Sequence, residues 1–493
     1  MDSLSKSQNI SAIIDIHAET RGNHPAILFE NIIWSYLDLA KHVKCQASAF
    51  SQNGVGCGDL VGLCMKDSAD HVAAMFALAR IGAIMLPMDN RWGLDEKKRL
   101  IDHFKPKIVI ADDPEHLENV RTVKSETFLQ QAEEASPKSA PEPINADDLP
   151  LLISLSSGTT GRPKGPAITH QQMINRFINQ AVSLSFDWYD RFLVATPLYF
   201  GGGRTFALSY LYLGGTIVLF PPPYKPKELV DAMKMFQPSS LFLVPTLLRR
   251  VLSLEDHDLR PFSNLRVLIS SGAPIFSEEC AEVCARLTPN FFEYYASTEG
   301  GGITVLAPND RSSHETSVGR AAFRVEIQVV NDEHEPVAAG EVGKIRYRGP
   351  GVANSFFRDE DSNSESFREG WFYPGDLGEL NSEGFLYLRG RSKDMIIRGG
   401  ANIYPIEVEQ TISQIKGVRD VAVVGVPDNE MGEEIVAVLV ANNQINEEKI
   451  LGHCQNRLAA YKIPRRIQFV NELPRNSSGK ILKSKIVEAL SMT

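Results

Sequence analysis

The sequence has few cysteines, no long apolar run and no surplus of positive charge. Its six cysteines, at positions 45, 57, 64, 280, 284 and 454, form no C-x-x-C pair and no framework spacing. That argues against a disulfide scaffold and a cysteine-held zinc knuckle, and a reducing, cytoplasmic setting is expected. Cys280 and Cys284 stand i, i+4 on a predicted helix and read as a small apolar face turned to the core. The longest apolar stretch, Ala73–Met88, is interrupted by Arg80 and is short for a bilayer span, so no membrane span is expected. The first residues lack the charged-then-apolar pattern of a secretory signal, and Ser491-Met-Thr493 is not the S-K-L address. The sequons at Asn9 and Asn476 therefore carry little weight. Lys plus Arg number 51 against 61 Asp plus Glu, a formal charge of −10. That balance argues against a nucleic-acid partner. Any anionic substrate must meet cations gathered at one place.

What is present is a chain of 493 residues, 43% apolar and 23% charged. That is ordinary for a globular protein and too long for one core, so two or more domains are expected. From about 10 to 120, helical patterns alternate with the buried-strand segments Val61–Cys64, Ala83–Leu86 and Ile108–Ala111. Residues 125–150, rich in Glu, Ala, Ser and Pro, read as an exposed connection. A second α/β run has strands near 151–155, 191–196, 216–220, 240–244 and 266–270, with helical patterns such as Lys227–Phe236 and Ser277–Leu287 between. Two doubly wound α/β layers are the natural architecture. From about 315 to 390, short strands (Val325–Val330, Gly343–Arg348, Phe385–Leu388) between Gly, Pro, Asn and Asp predict a small β-barrel or antiparallel sheet. Beyond Lys393, a smaller α+β unit is predicted: helix Ile406–Gln414, strands Val418–Val424 and Ile435–Val440, helix Glu447–Leu458 and a basic tail.

The segment Leu155-Ser-Ser-Gly-Thr-Thr-Gly-Arg-Pro-Lys-Gly165 carries the most chemistry. Hydroxyls at Ser156, Ser157, Thr159 and Thr160 alternate with Gly158, Gly161 and Gly165, and Lys164 follows. Glycines let backbone N–H groups turn inward on an anion, and hydroxyls and an ammonium complete the coordination. The stretch suits a polyphosphate, although it is not the G-x-x-x-x-G-K-[ST] loop. A flexible Ser/Gly turn is the bland alternative, but Leu151–Leu155 reads as a buried strand feeding the loop directly. Gly54-Val-Gly-Cys-Gly58 lacks the strand–loop–helix context of a dinucleotide site and reads as a turn.

This loop resembles the phosphate loop of the adenylate-forming superfamily, which includes acyl-CoA synthetases, adenylation domains of peptide synthetases and beetle luciferases. The resemblance recurs, in the family's order, at Tyr295-Ala-Ser-Thr-Glu299, Gly370-Trp-Phe-Tyr-Pro-Gly-Asp376, Gly390-Arg-Ser-Lys-Asp-Met-Ile-Ile-Arg-Gly-Gly400 and Pro474-Arg-Asn-Ser-Ser-Gly-Lys480. It implies an N-terminal AMP-binding domain over 1–392, made of two doubly wound subdomains and a β-barrel. A mobile α+β lid over 393–493 would follow. It implies a reaction in which the acid's carboxylate attacks the α-phosphate of ATP, pyrophosphate leaves, and a thiol then displaces AMP from the acyl adenylate. Preorganised N–H groups, ammonium ions and Mg²⁺ would stabilise the charge that gathers in the first step.

By the same resemblance, Thr298 contacts phosphate and Glu299 helps hold Mg²⁺. Tyr295 lies against adenine, with Gly272, Ala273, Pro274, Glu293 and Tyr294 as further ATP or AMP contacts. Asp376 takes the ribose hydroxyls, aided by Arg391. Lys393 is the hinge, Gly399, Gly400 and Asn402 meet CoA, and Lys480 bridges carboxylate and α-phosphate in the first step only. Gly399-Gly400 has a hairpin turn as its less favoured alternative reading. Ser477-Ser-Gly-Lys480 also fits the S-x-x-K pattern of acyl-serine hydrolases, but no K-T-G or S-D-N companion exists.

The acid's pocket is expected at Pro197–Arg204 and Ser270–Pro274, with Tyr199, Phe200, Gly201, Ala296 and Gly301 lining it. Many acyl-CoA synthetases have His where Phe200 stands, and Ala296 and Pro374 replace a customary Gly and Thr. No acidic residue in Tyr199–Arg204 is placed to anchor an α-ammonium, which counts against amino-acid substrates. Gly201-Gly202 and Gly300–Gly302 leave room for a bulky acyl group or serve core packing. Arg204 could meet a second carboxylate, but an ordinary surface or salt-bridge role is favoured. The expected partners are ATP, Mg²⁺, a small carboxylic acid and CoA. A carrier-protein thiol is the alternative acceptor, a non-catalytic nucleotide-binding relative the alternative class, and a homodimer is allowed.

Overall fold

The computed structural model describes residues 8–114, 117–146, 148–155, 163–428, 430–442, 444–475 and 480–491. Six of the phosphate-loop residues singled out above, Ser156, Ser157, Gly158, Thr159, Thr160 and Gly161, lie outside them, as do Ser477, Ser478 and Gly479 of the last motif.

Apolar runs bounded by turns become the strands of two mainly parallel sheets. One has six strands in the order Arg121–Lys124, Ile108–Ala111, Leu60–Cys64, Ile84–Pro87, Pro150–Ile153 and Ala167–Thr169, only the last antiparallel. The other has nine, and its parallel centre runs Phe291–Ser297, Val267–Ser270, Ser240–Phe242, Arg191–Val194, Thr216–Leu219 and Pro25–Phe29. The expected two layers are therefore present, but the chain crosses between them. Strand Pro25–Phe29 belongs to the later sheet, and Pro150–Ile153 closes the earlier one. Local pattern gives a strand its burial, not its partner, because register and neighbour are chosen by packing.

Residues 125–150 are only in part an open connection. Ser125–Glu134 is a helix whose Phe128 is fully buried, with ring centroids 4.4 Å from Phe50 on the long helix Tyr36–Gln52. Burying a phenylalanine stabilises by about 1.5–3 kcal/mol, which outweighs the polar composition around it.

The predicted barrel is an antiparallel sheet of six strands: Glu326–Val330, Gly343–Arg348, Phe367–Arg368, Trp371–Phe372, Asp376–Leu380 and Leu386–Arg391. Its core includes Ile345, Tyr347, Phe372 and Leu386. The chain then turns through Ser392–Asp394 and enters a five-stranded C-terminal sheet at Ile396–Arg398. That sheet, built on the long hairpin Val418–Asp428 and Gly432–Ala441, packs against helices Pro405–Ser413 and Glu447–Gln455. The basic tail forms a further helix, Lys483–Ser491, because Ile486 and Leu490 repeat one turn apart and bury against Val424 and Val436.

Candidate active site

The site lies where the barrel, the nine-stranded sheet and the C-terminal unit meet. Barrel pairing sets Asp376 directly opposite Arg391, and Arg391 Nε stands 3.3 Å from Asp376 Oδ1. From the nine-stranded sheet, the Tyr295 hydroxyl donates to Asp376 Oδ2 at 2.5 Å. The carboxylate is thus held on both oxygens, while its four lone-pair directions leave capacity for further donors. Lys480, from the C-terminal unit, is half-buried at this point. Burial, then the charge of Arg391, lowers its pKa from the ordinary lysine value, and Asp376 and Asp394 oppose that shift. Two residues 104 positions apart in sequence, 376 and 480, therefore feel each other's charge. The tail lysine reaches the cleft.

Strand alternation sorts the Phe291–Ser297 segment. Tyr295 faces Asp376. Tyr294 points the other way and is 5% exposed in the main core, with its ring 5.8 Å from Phe206. Its side chain therefore packs into the core. Glu293 accepts from Arg311 Nη1 at 2.5 Å and from Cys280 Sγ at 3.2 Å. Burial raises its pKa, and Arg311 opposes the rise. Gly272 takes a φ of +97° at the turn after strand Val267–Ser270, a conformation suited to glycine, and leaves Gly272 and Pro274 exposed at the strand's carboxyl end.

Thr298 and Glu299 form the tip of the hairpin joining Phe291–Ser297 to Gly301–Leu306. Burial pushes the Glu299 carboxyl upward, with Arg176 and Arg391 among the groups that oppose the rise. The tip is held closely. The Ser297 hydroxyl is 2.6 Å from the Tyr347 hydroxyl, and a Cβ on Gly300 would lie 2.3 Å from the Tyr347 ring. A Cβ on Gly302 would lie 2.0 Å from the Tyr294 oxygen, and one on Gly301 3.0 Å from Arg176 Cγ. The three glycines serve close packing. Gly301, expected in the acyl pocket, lies against Arg176.

Of the phosphate hairpin, the base is described. Ser154 N donates to Pro166 O at 3.1 Å and Phe357 N to Gly165 O at 2.9 Å, tying the hairpin to the barrel edge. Lys164 Nζ donates to Ser362 Oγ at 2.5 Å, and that hydroxyl donates to Asp359 Oδ2 at 2.9 Å. Arg204 is neither a surface residue nor a salt-bridge partner. It is 1% exposed and donates to Leu198 O, Tyr199 O and Ser154 Oγ, so it braces the Pro197–Phe200 loop against the strand entering the phosphate hairpin. Burial lowers its pKa to about 10, which leaves it charged at neutral pH.

On that loop, the Tyr199 ring meets Trp92 edge-on at 5.5 Å, Phe200 caps helix Gly201–Leu213, and a Cβ on Gly201 would meet nothing within 4 Å. Gly202 is different: a Cβ there would lie 2.7 Å from the Phe242 ring. Ala296 packs partly against the main core. Gly399 and Gly400, at φ of +57° and +82°, are the turn of the hairpin between Ile396–Arg398 and Ala401–Ile403, and Asn402 is exposed beside them. Lys393 is exposed in the connecting turn.

Among the described residues no cluster of three or more His, Cys, Asp or Glu could hold a metal by itself. Mg²⁺ keeps waters and substrate phosphates and needs only one or two carboxylates from a protein. A single half-buried Glu299 fits an ion that arrives with ATP. No described helix is long and apolar enough to cross a membrane.

The sequence patterns did not single out Arg176, Tyr347 or Ser362. None lies in a recognisable motif, although the run Gly300–Gly302 signalled that something bulky approaches the hairpin.

Comparison with known proteins agrees with this geometry. The family profile described as AMP-binding enzyme matches residues 14–357, and that of the AMP-binding enzyme C-terminal domain matches 407–480. The indoleacetate–CoA ligase of Aromatoleum aromaticum is 30% identical over 500 residues, covering 97% of each chain. A feruloyl-CoA synthase of an Amycolatopsis species is 31% identical over 460 residues, covering 92% of this chain and 93% of that one. The solved structure of o-succinylbenzoate CoA synthetase from Bacillus subtilis, in complex with its acyl-adenylate intermediate, superposes with a TM-score of 0.85 at 26% identity, over 96% of this chain and 97% of that one. The chain belongs to the AMP-binding enzyme family. It is an acid–thiol ligase of the acyl-CoA synthetase class, which activates a carboxylic acid with ATP and transfers the acyl group to coenzyme A.

Proposed function

We propose that the acid is an aryl or arylalkyl carboxylic acid and that Lys480 acts in its adenylation. The observation that carries the second part is the burial of Lys480 beside Asp376 and Arg391. An ammonium there suits a carboxylate and an α-phosphate that must approach each other against their mutual repulsion. Asp376 and Arg391 hold the ribose, and Tyr295 and Gly272-Ala273-Pro274 flank the adenine, with Glu293 at its edge. Thr298 and Lys164 meet phosphate, together with the loop residues 156–161. Glu299 would hold Mg²⁺, which when bound neutralises charge on the departing pyrophosphate. A cytoplasmic location is proposed as well, since the six cysteines show no paired or framework spacing.

The acid class rests on two supports. Two relatives that match nearly the whole chain are named for indoleacetate and ferulate. In this chain, Tyr199, Phe200 and Trp92 offer flat apolar faces beside the open space at Gly201, which suits an aromatic ring. A panel of acids assayed by pyrophosphate release tests it. Indoleacetate, phenylacetate and cinnamates are expected to exceed aliphatic acids of equal length in kcat/KM by about tenfold or more, since one good ring contact is worth roughly 0.5–1.5 kcal/mol beyond the area it buries. A preference for short dicarboxylates or unbranched fatty acids refutes the assignment.

The C-terminal unit must also serve the second step. Lys393 sits between the last barrel strand and the first strand of the C-terminal sheet, where a few backbone dihedrals can reorient the whole unit. Rotation there would bring Gly399, Gly400 and Asn402 toward the thiol's path. Lys393→Pro is expected to slow thioester formation from synthetic acyl adenylate by about tenfold or more while sparing pyrophosphate release, because only the second step needs the alternative backbone state. Equal rates in both half-reactions remove the hinge.

A further inference from the structure

Arg176 lies outside every motif, yet it touches the most chemical part of the hairpin tip. It belongs to helix His170–Ser183, whose start is fixed by a reciprocal cap: Gln172 N donates to Thr169 Oγ1 at 3.2 Å and Thr169 N to Gln172 Oε1 at 3.0 Å. Thr169 ends the strand that returns from the phosphate hairpin. One turn after Gln172, Arg176 is 5% exposed. Its Nε donates to Gly351 O at 2.8 Å, Nη1 to Thr298 O at 3.1 Å and Nη2 to Glu299 O at 2.5 Å. Glu299 O also accepts from Ala353 N at 2.9 Å. Two peptide planes at the tip are thus locked, and with them the directions in which the Thr298 and Glu299 side chains leave the backbone. Gly301 and Gly351 crowd the same side chain, each with a would-be Cβ 3.0 Å from its Cγ.

We infer that Arg176 is a positioning residue that fixes the direction of the Glu299 carboxylate at the hairpin tip, and so sets how tightly the enzyme binds Mg²⁺ together with ATP. The inference rests on reading Glu299 as the Mg²⁺ ligand. A guanidinium suits the task because its planar fork reaches three carbonyls at once, and lysine's single ammonium cannot. Gln172 Nε2 and Asn179 Nδ2, on the same helix face, donate to Val352 O and Phe323 O at 2.8 Å each. These bonds hold the helix to the barrel, whereas Arg176 alone of the three grips the hairpin tip.

The test uses full-length Arg176→Lys and Arg176→Met, with Glu299→Gln measured beside them. The readout is the Mg²⁺ concentration for half-maximal thermal stabilisation by ATP, with metal-free AMP binding as the reference. Both arginine variants are expected to raise the Mg²⁺ midpoint about 10–100-fold, the usual effect of removing a group that orients a metal ligand. AMP binding and thioester formation from synthetic acyl adenylate should stay near wild type. Pyrophosphate release should fall and recover at high Mg²⁺. An unchanged midpoint, or loss of AMP binding in step with ATP binding, overturns the proposal. So does failure of both variants to melt cooperatively, since the arginine would then hold the fold as a whole. If Glu299→Gln leaves the midpoint unchanged, the reading of Glu299 falls, and the proposal with it. If Glu299→Gln moves it and the arginine variants do not, only the role of Arg176 is lost.

Discussion

Lys480→Ala is expected to lower acid-dependent pyrophosphate release by about 10²–10³-fold, the usual consequence of deleting one preorganised donor to a developing anion. Thioester formation from synthetic acyl adenylate should be largely spared, because the carboxylate–phosphate encounter is over by then. The pH profile adds a second mark. Burial depresses the Lys480 ammonium below the ordinary lysine value of 10.5. Its charge is lost as pH rises through the lowered pKa, so the alkaline limb of pyrophosphate release should fall below pH 10.5. Lys480→Arg, which stays charged, should move that limb upward. Equal loss of both half-reactions in Lys480→Ala would falsify the division of labour between the two steps. A limb that does not move in Lys480→Arg shows that another group titrates.

The second large effect concerns Asp376. Its carboxylate is the anion between Arg391, Tyr295 and Lys480. Asp376→Ala removes the proposed ribose acceptor and leaves the two cations facing each other without it. Hydrogen bonds to a charged group contribute about 1.5–3 kcal/mol each, so losing two should cost about a hundredfold or more in kcat/KM for ATP. The loss should show in both KM and kcat, since the Lys480 ammonium would be depressed further. Isothermal titration with AMP separates the parts. Asp376→Asn, of nearly the same shape, should bind AMP more weakly than wild type. Unaltered AMP affinity in Asp376→Asn would mean that the ribose is held elsewhere.

Part of the candidate site's arrangement was legible in the sequence because it is local. Gly370–Asp376 and Gly390–Gly400 are contiguous segments whose glycines, aromatics and charges must be adjacent to work, and the barrel pairs Asp376 with Arg391 across neighbouring strands. Tyr294 was less legible. Its neighbour Tyr295 carries the same type of ring, and only the strand's facing decides which of the two enters the core. Gly301 was ambiguous for a related reason: a glycine makes room, and the sequence does not say for what. Arg204 looked like an exposed cation, yet it is buried with carbonyl partners that a pattern of residue types does not reveal.

Sequence by itself determined the family, the order of domains, the residue types that can meet a nucleotide and the strands that must be buried. Each follows from contiguous chemistry or short-range periodicity. Only the tertiary structure decided that Pro25–Phe29 joins the later sheet, that Arg176 grips the Thr298–Glu299 tip and that Lys480 comes within reach of the charge of Asp376. Those pairings span about a hundred residues or more. They are fixed by which faces pack together, and that is a property of the whole chain and not of any segment of it.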